Sequence, residues 1–169
     1  MKALAAILLL ALLGCQHPKV HVQQTEEETA APLASTVHTG DPKSAAQLVA
    51  GFHSIEENAW RWTERKFAVV LSTPFGAAQK GATLEVKLSV APATIERLHA
   101  ISLSVAINGT TLPPETWRQP GNYTYLRPVP PALLTGSSVR VDCELDKALP
   151  PSGADQRELG VVVLSVGLK

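Results

Sequence analysis

One apolar run near the end of the sequence constrains the fold more than any other feature. Residues 159–168 are almost entirely Leu, Val and Gly, and a polar turn at residues 153–158 precedes them. Such a run is typical of a β-strand that is buried on both faces or nearly so. We therefore expect the other strands to assemble around it.

Three other segments alternate apolar and polar residues, which is typical of strands with one solvent-facing side. They are residues 83–90, 101–107 and 138–145. Asn108-Gly109 predicts a type I′ hairpin after the second of them, because both central residues of that turn need positive φ. Pro113-Pro114 is expected to end regular pairing. Shorter strands are predicted at residues 47–52, 66–72, 110–112 and 122–126.

These segments amount to seven or eight short strands without a long amphipathic helix. The pattern predicts an all-β domain over residues 44–169, an antiparallel two-sheet β-sandwich, with a closed barrel as the alternative. Only 5% of the residues are aromatic, so the core is expected to be mainly aliphatic. Fifteen basic and fifteen acidic residues give no excess of positive charge, which disfavours nucleic-acid binding.

The N-terminal residues 1–14 have the features of a secretory signal peptide. Lys2 precedes an apolar run at residues 3–13, which is too short to span a bilayer as a helix. Leu12-Leu13-Gly14-Cys15 resembles the lipobox of bacterial lipoproteins. The resemblance implies that Cys15 is acylated and anchors the chain in membrane lipid of the cell envelope. Gln16 after the cysteine implies the outer membrane rather than the inner one.

The segment after the signal peptide, residues 15–43, shows no lasting period of 2 or 3.6. It is rich in Pro, Thr, Gln and His and contains an acidic run at residues 26–28, so it is predicted to be a disordered tether that starts at the lipidated Cys15. If Cys15 is acylated, Cys143 has no partner for an intramolecular disulfide. Its place in an alternating strand predicts a small core residue.

Several short motifs along the predicted domain together resemble a β-sandwich accessory domain of bacterial cell-envelope proteins, which is sometimes attached to glycosyltransferases. The motifs are Gly51-Phe52, Glu56, Trp60-Arg61-Trp62, Asn108-Gly109 and Asp155-Gln156-Arg157-Glu158-Leu159-Gly160-Val161. The resemblance covers nearly the whole predicted domain. It implies a jelly-roll-like sandwich similar to carbohydrate-binding modules, and it implies no catalytic activity.

One group of residues is a candidate for either a binding site or a structural cluster: Glu56, Trp60, Arg61, Trp62, Asp155 and Arg157. Tryptophan faces beside charged groups suit sugar binding, and a groove lined by Trp60 or by Trp117, Tyr123 or Tyr125 would support that interpretation. The structural interpretation, which we favour, places the two tryptophans in the core. It also predicts that at least one of Arg61 and Arg157 forms a buried or half-buried ion pair with one of the carboxylates.

No pattern in the sequence predicts catalysis, a metal site or a cofactor. Glu56 and Glu57 are neighbours and would point to opposite faces of a strand, so they do not form an acid/base pair. There is no Gly-x-Ser-x-Gly elbow, no zinc-ligand spacing and no glycine-rich phosphate loop. The protein is therefore not expected to be an enzyme.

Two functions fit these features. The first is a membrane-anchored, non-catalytic binding module of the envelope, with glycan as the expected ligand. The alternative is a structural or assembly lipoprotein that docks a protein partner of the cell envelope by a sheet face or an edge strand.

Overall fold

The computed structural model describes residues 32–169, so the predicted signal peptide, Cys15 and most of the predicted tether lie outside the described residues. The described part contains two packed antiparallel sheets, and the predicted β-sandwich is confirmed. Its strands are β1 (Thr36–His38), β2 (Leu48–Phe52), β3 (Arg61–Ser72), β4 (Ala82–Val90), β5 (Ile101–Ile107), β6 (Thr110–Trp117), β7 (Gly121–Val129), β8 (Ser138–Leu145) and β9 (Val162–Leu168).

The two sheets share strand β3. In sheet I the order is β7–β4–β9, and both β1 and the start of β3 pair with the other side of β9. In sheet II the order is β2–β3–β8–β5–β6. Residues 61–62 of β3 pair with β9, whereas residues 66–72 pair with β8. One long strand therefore forms a corner of the sandwich and links its two layers.

The strands with clear alternation lie where the sequence predicts them. Strands β5 and β8 have the predicted bounds, and β4 begins one residue earlier than predicted. In each of them the apolar residues face the core and the polar ones face outward. Asn108 and Gly109 both have positive φ, at 49° and 78°, as the predicted hairpin turn requires.

Pro113-Pro114 interrupts the regular pairing of β6 with β5, as predicted, but does not end the strand. Strand β6 continues to Trp117, and β7 continues past its predicted end at residue 126 through Pro128. A register shift opposite Leu103–Val105 accommodates the first pair. Both strands lie at sheet edges, where a missing backbone N–H does not break a ladder on two sides.

The folded part begins before residue 44, where the sequence analysis places it. Strand β1 lies within the predicted tether and pairs with β9, with Val37 fully buried opposite Val166. A three-residue strand with one buried side chain has too few positions to show a period. Strand β1 forms because it pairs with the edge of β9, which is distant in sequence.

The C-terminal apolar run is shorter and less buried than predicted. Strand β9 begins at Val162 rather than at Leu159. A register shift opposite Lys87–Leu88 leaves Leu164 without a partner on β4, and its side chain is 41% exposed. The rest of β9 pairs on both edges, so it lies in the middle of sheet I as expected.

The core between the sheets is mainly aliphatic, as expected, with Phe67, Tyr125 and Trp117 as its large aromatic residues. Cys143 is a buried core residue with a free thiol, and burial raises the pKa of that thiol. Two short helices, α1 (Ala77–Lys80) and α2 (Pro92–Leu98), join strands. Residues 32–169 contain no helix long and apolar enough to cross a membrane.

Side chains of β7 join the outer edges of the two sheets. The Tyr125 hydroxyl donates to the Pro113 carbonyl at 2.9 Å, and the Arg127 guanidinium donates to the carbonyls of Pro113 and Pro114 at 2.8 and 3.0 Å. Arg127 also pairs with Glu115 at 3.1 Å and lies over the Tyr125 ring. These contacts occupy carbonyls of β6 that an edge strand otherwise presents to another chain.

Candidate functional site

A row of side chains crosses the outer face of sheet I at one end of the sandwich. Trp62 of β3 pairs in register with Val162 of β9, Val162 with Ser89 of β4, and Ser89 with Asn122 of β7. Residues paired in register lie on the same face of a sheet. With strands about 4.8 Å apart, the row extends about 14 Å across the sheet.

This row forms part of a surface groove of about 400 Å³. Trp60, Leu164 and Glu56 complete its lining. Leu164 points into the groove region because it is the unpaired residue of the β9 register shift. The groove therefore combines two indole rings and two aliphatic side chains with a hydroxyl, an amide and one carboxylate.

A tight turn brings Trp60 next to Glu56. The backbone N–H of Glu56 donates to the Trp60 carbonyl at 2.9 Å, and the N–H of Ala59 donates to the Glu56 carbonyl at 3.0 Å. Glu57 and Asn58, at the tip of the turn, have positive φ of 49° and 53°. The turn directly precedes β3, so the indole rings of Trp60 and Trp62 line the same groove.

The predicted ion pair is present, because Arg157 pairs with both Glu56 and Asp155. Its guanidinium donates to Glu56 Oε1 at 2.7 Å and to Asp155 Oδ2 at 2.8 Å. The side chains are half-buried, with 37% of Arg157 and 34% of Glu56 exposed. This clamp joins the loop before β9 to the turn that carries Trp60, so Arg157 acts on the groove by positioning its wall.

The clamp changes the acid–base properties of its members. Hydrogen bonds from Arg157 lower the pKa of Asp155 from 3.8 to about 2. Hydrogen bonds to Asp155 and then Glu56 raise the pKa of the Arg157 guanidinium. The first effect favours the charged form of Asp155 and the second that of Arg157, so these two groups are ionised at neutral pH.

Replacing Asp155 by Asn is expected to reduce the loss of stability in acid. The pKa of Asp155 is lower in the folded state, so its carboxylate stabilises the fold above about pH 4, and this contribution is lost as the pH falls towards 2. Urea denaturation at several pH values across this window measures the difference. Glu57→Gln, a change at an exposed carboxylate in the neighbouring turn, is the matched control. Equal acid sensitivity of wild type and Asp155→Asn would contradict the prediction.

Arg61 does not join the clamp. Its guanidinium donates to the backbone carbonyls of Thr39 and His53, both at 2.9 Å. It forms no ion pair with Glu56 or Asp155. Arg61 therefore fixes two loops through their backbones, and only Arg157 performs the predicted ionic role.

The tryptophans do not fill the core, so this part of the favoured structural interpretation is wrong. Neither Trp60 nor Trp62 is among the buried core residues, and both are half-buried in the groove lining. The reason is strand alternation, which turns Trp62 outward while its neighbour Thr63 is buried. Tyr125 and Trp117 instead supply aromatic volume to the core, and Tyr123 stacks on Trp117 at 5.4 Å.

The sequence analysis missed the part of the groove that comes from other strands: Ser89, Asn122, Val162 and Leu164. The alternation of β4 indicated that Ser89 faces outward, but which residue of another strand lies beside it depends on the register between strands. Single-strand periodicity carries no information about that register. Within residues 32–169, no group of His, Cys, Asp and Glu side chains converges as a metal site.

The arrangement of the groove suits an elongated ligand that has both apolar faces and hydroxyl groups. Flat indole rings bind apolar ring faces, while the Ser89 hydroxyl and the Asn122 amide provide hydrogen-bond donors and acceptors. Glu56 is paired with Arg157, so the carboxylate of the groove is not an isolated charge, although Arg157 is shared with Asp155.

No protein-family model matches the sequence, and no curated protein matches it. Among solved structures, the chain is similar to part of an acetyl xylan esterase, Est2A, from the rumen bacterium Butyrivibrio proteoclasticus. The TM-score is 0.50 at 10% identity, over 79% of this chain and 33% of the esterase. At this identity the similarity is one of fold, which is an antiparallel β-sandwich.

Two further solved structures resemble the chain. A GH115 4-O-methyl-α-glucuronidase, BtGH115A, gives a TM-score of 0.44 at 12% identity, over 82% of this chain and 18% of that one. A family 35 carbohydrate-binding module from an environmental isolate gives a TM-score of 0.36 at 16% identity, over 84% of this chain and 89% of the module. The chain thus spans a third or less of the length of the two enzymes.

Proposed function

We propose that the protein is a membrane-anchored, non-catalytic module of the bacterial cell envelope that binds a glycan. The observation that carries the proposal is the groove on the outer face of sheet I, in which Trp60 and Trp62 lie beside Ser89 and Asn122. Aromatic side chains that remain on an exposed face, although the core has few of them, suggest a binding role. The fold similarity to part of a xylan-modifying esterase agrees with this proposal.

The non-catalytic part of the proposal rests on the state of the carboxylates. Glu56 is the groove carboxylate, and Arg157 holds it at 2.7 Å. The pKa of Asp155 is lowered to about 2, which is opposite to the shift that a general acid needs. Asp155 is therefore not suited to donate a proton at neutral pH, and Glu56 is already engaged in an ion pair.

The anchor part of the proposal rests on the lipobox-like Leu12-Leu13-Gly14-Cys15. Acyl chains contribute about 0.8 kcal/mol per buried methylene, and two or more give stable attachment. We propose a position in the envelope, with the outer membrane favoured. Incorporation of a palmitate analogue at Cys15, lost in Cys15→Ala, is the direct measurement.

The docking alternative has less support at two of the sheet edges, those formed by β6 and β7. Edge strands β6 and β7 carry Pro113, Pro114 and Pro128, and Arg127 already occupies two carbonyls of β6. Prolines and occupied carbonyls both oppose the addition of a strand from a partner.

Calorimetry against a panel of envelope and plant-type polysaccharides tests the proposed function. We expect binding of at least one of them, together with a change in tryptophan fluorescence. Two of the three tryptophans line the groove, while Trp117 is buried in the core. The matched control is Arg140→Gln, on the outer face of sheet II, which should bind as wild type does. Absence of binding to the whole panel by a folded protein would contradict the proposal.

A further inference from the structure

One exposed aromatic residue lies at the end of the sandwich away from the groove. Phe75 occupies the tip of the loop between β3 and α1, and its side chain is fully exposed. Gly76, with φ of 77°, forms the turn that presents it. Removing a large apolar side chain from water is favourable, so the complete exposure of Phe75 favours contact with an apolar phase.

The chain enters the sandwich directly beside this loop. The N–H of Ser72, the last residue of β3, donates to the Ala34 carbonyl at 3.0 Å. The Gln47 side chain also holds Ala34, through bonds of 2.9 and 3.0 Å to its N–H and carbonyl. Residues 16–33 connect Ala34 to Cys15 and span at most about 65 Å. The end that carries Phe75 is therefore the end nearest the proposed anchor along the chain.

The charges at this end suit a negatively charged surface. The Lys80 side chain lies against Gly76 in the same loop, and no carboxylate among residues 32–169 forms an ion pair with it. The segments that meet at this end contain no Asp or Glu: residues 32–36, 72–83, 107–111, 127–139 and 167–169. A cation at this end is therefore attracted to an anionic lipid surface.

The tryptophan groove lies at the opposite end. Trp62 is near the start of β3 and Ser72 is at its end, and a strand of this length separates them by about 33 Å. We propose that the end of the sandwich formed by Phe75, Lys80 and the entering chain rests on the lipid surface in which Cys15 is anchored. Phe75 inserts between headgroups, and the groove, on the outer face of sheet I, lies at the end of the sandwich remote from the lipid. This inference rests on the proposed anchor and is independent of the glycan.

A fluorophore at position 75 tests the contact. The acylated Phe75→Cys protein is labelled and reconstituted in vesicles of phosphatidylethanolamine and phosphatidylglycerol. Cys15 is blocked by its acyl group, and Cys143 is buried with a raised thiol pKa, so labelling is selective. We expect strong quenching by brominated lipids at position 75. The matched control is Gln119→Cys, in the exposed turn between β6 and β7 at the groove end, which should show little quenching.

Equal quenching at positions 75 and 119 in protein that stays bound to vesicles would overturn the inference. If acylation itself fails, the chain from Gln16 with an N-terminal histidine tag, held on nickel-chelating lipid, gives the same comparison. Quenching at position 75 should be stronger in vesicles that contain phosphatidylglycerol than in vesicles of phosphatidylcholine. Lys80→Gln should reduce this difference. Calorimetry in the absence of lipid reports glycan binding separately, so failure of that function is distinguishable.

Discussion

Trp62→Ala should weaken binding of the glycan by roughly 30-fold or more. This is the effect expected when a central aromatic anchor that contributes about 2 kcal/mol is lost. Trp62 is the aromatic member of the row that crosses sheet I, and it pairs directly with Val162. Its loss removes one of the two indole surfaces of the groove. Calorimetry with the strongest ligand of the panel measures the change.

Two further variants separate loss of the ring from loss of the fold. Trp62→Phe keeps an aromatic face and should retain part of the affinity. Val49→Ala removes an exposed apolar side chain from β2 of sheet II and should bind as wild type does. Unchanged affinity in a folded Trp62→Ala protein would remove the groove from the proposed function.

Replacing Gly51 by alanine should destabilise the fold by about 3 kcal/mol or more, a large fraction of the 5–15 kcal/mol of a typical domain. Gly51 has φ of 67° at a register shift between β2 and β3. A Cβ atom there would lie 1.9 Å from the Lys66 carbonyl oxygen and 2.8 Å from the Phe67 Cα. Both are backbone atoms, so no change of rotamer relieves the overlap.

Comparing the free energies of unfolding of Gly51→Ala and Gly109→Ala, measured by urea denaturation, isolates the effect of the overlap. Gly109 also has positive φ, at 78°, but a Cβ atom there meets nothing within 4 Å. Its replacement should therefore cost only about 1 kcal/mol, the penalty for the backbone conformation. Similar losses of stability in the two variants would contradict the prediction and would show that β2 can move away from β3 without cost.

The sequence predicted well those parts of the fold that depend on local pattern. Strands β5 and β8 alternate strictly, and Asn108-Gly109 is favoured in a type I′ turn by its backbone preferences alone. An ion pair of at least one of Arg61 and Arg157 with a carboxylate of the same cluster was also predicted, and Arg157 forms it.

Features set by partners distant in sequence were not predictable. Strand β1 is held by the edge of β9, and the register shift at Leu164 depends on how β9 pairs with β4. The outward direction of Trp62 depends on which neighbour faces the core. Sparse aromatic composition favoured a buried position for the tryptophans, but composition does not distinguish the two faces of a strand.

The position of β9 has a consequence for how the protein folds. It pairs with β1, β3 and β4, and β1 pairs with no other strand in the described part. Sheet I cannot close until residues 162–168 come together with segments that lie about 70 to 130 residues earlier in the chain. Because such distant pairs are slow to form, closure of sheet I is expected to limit the rate at which the sandwich folds.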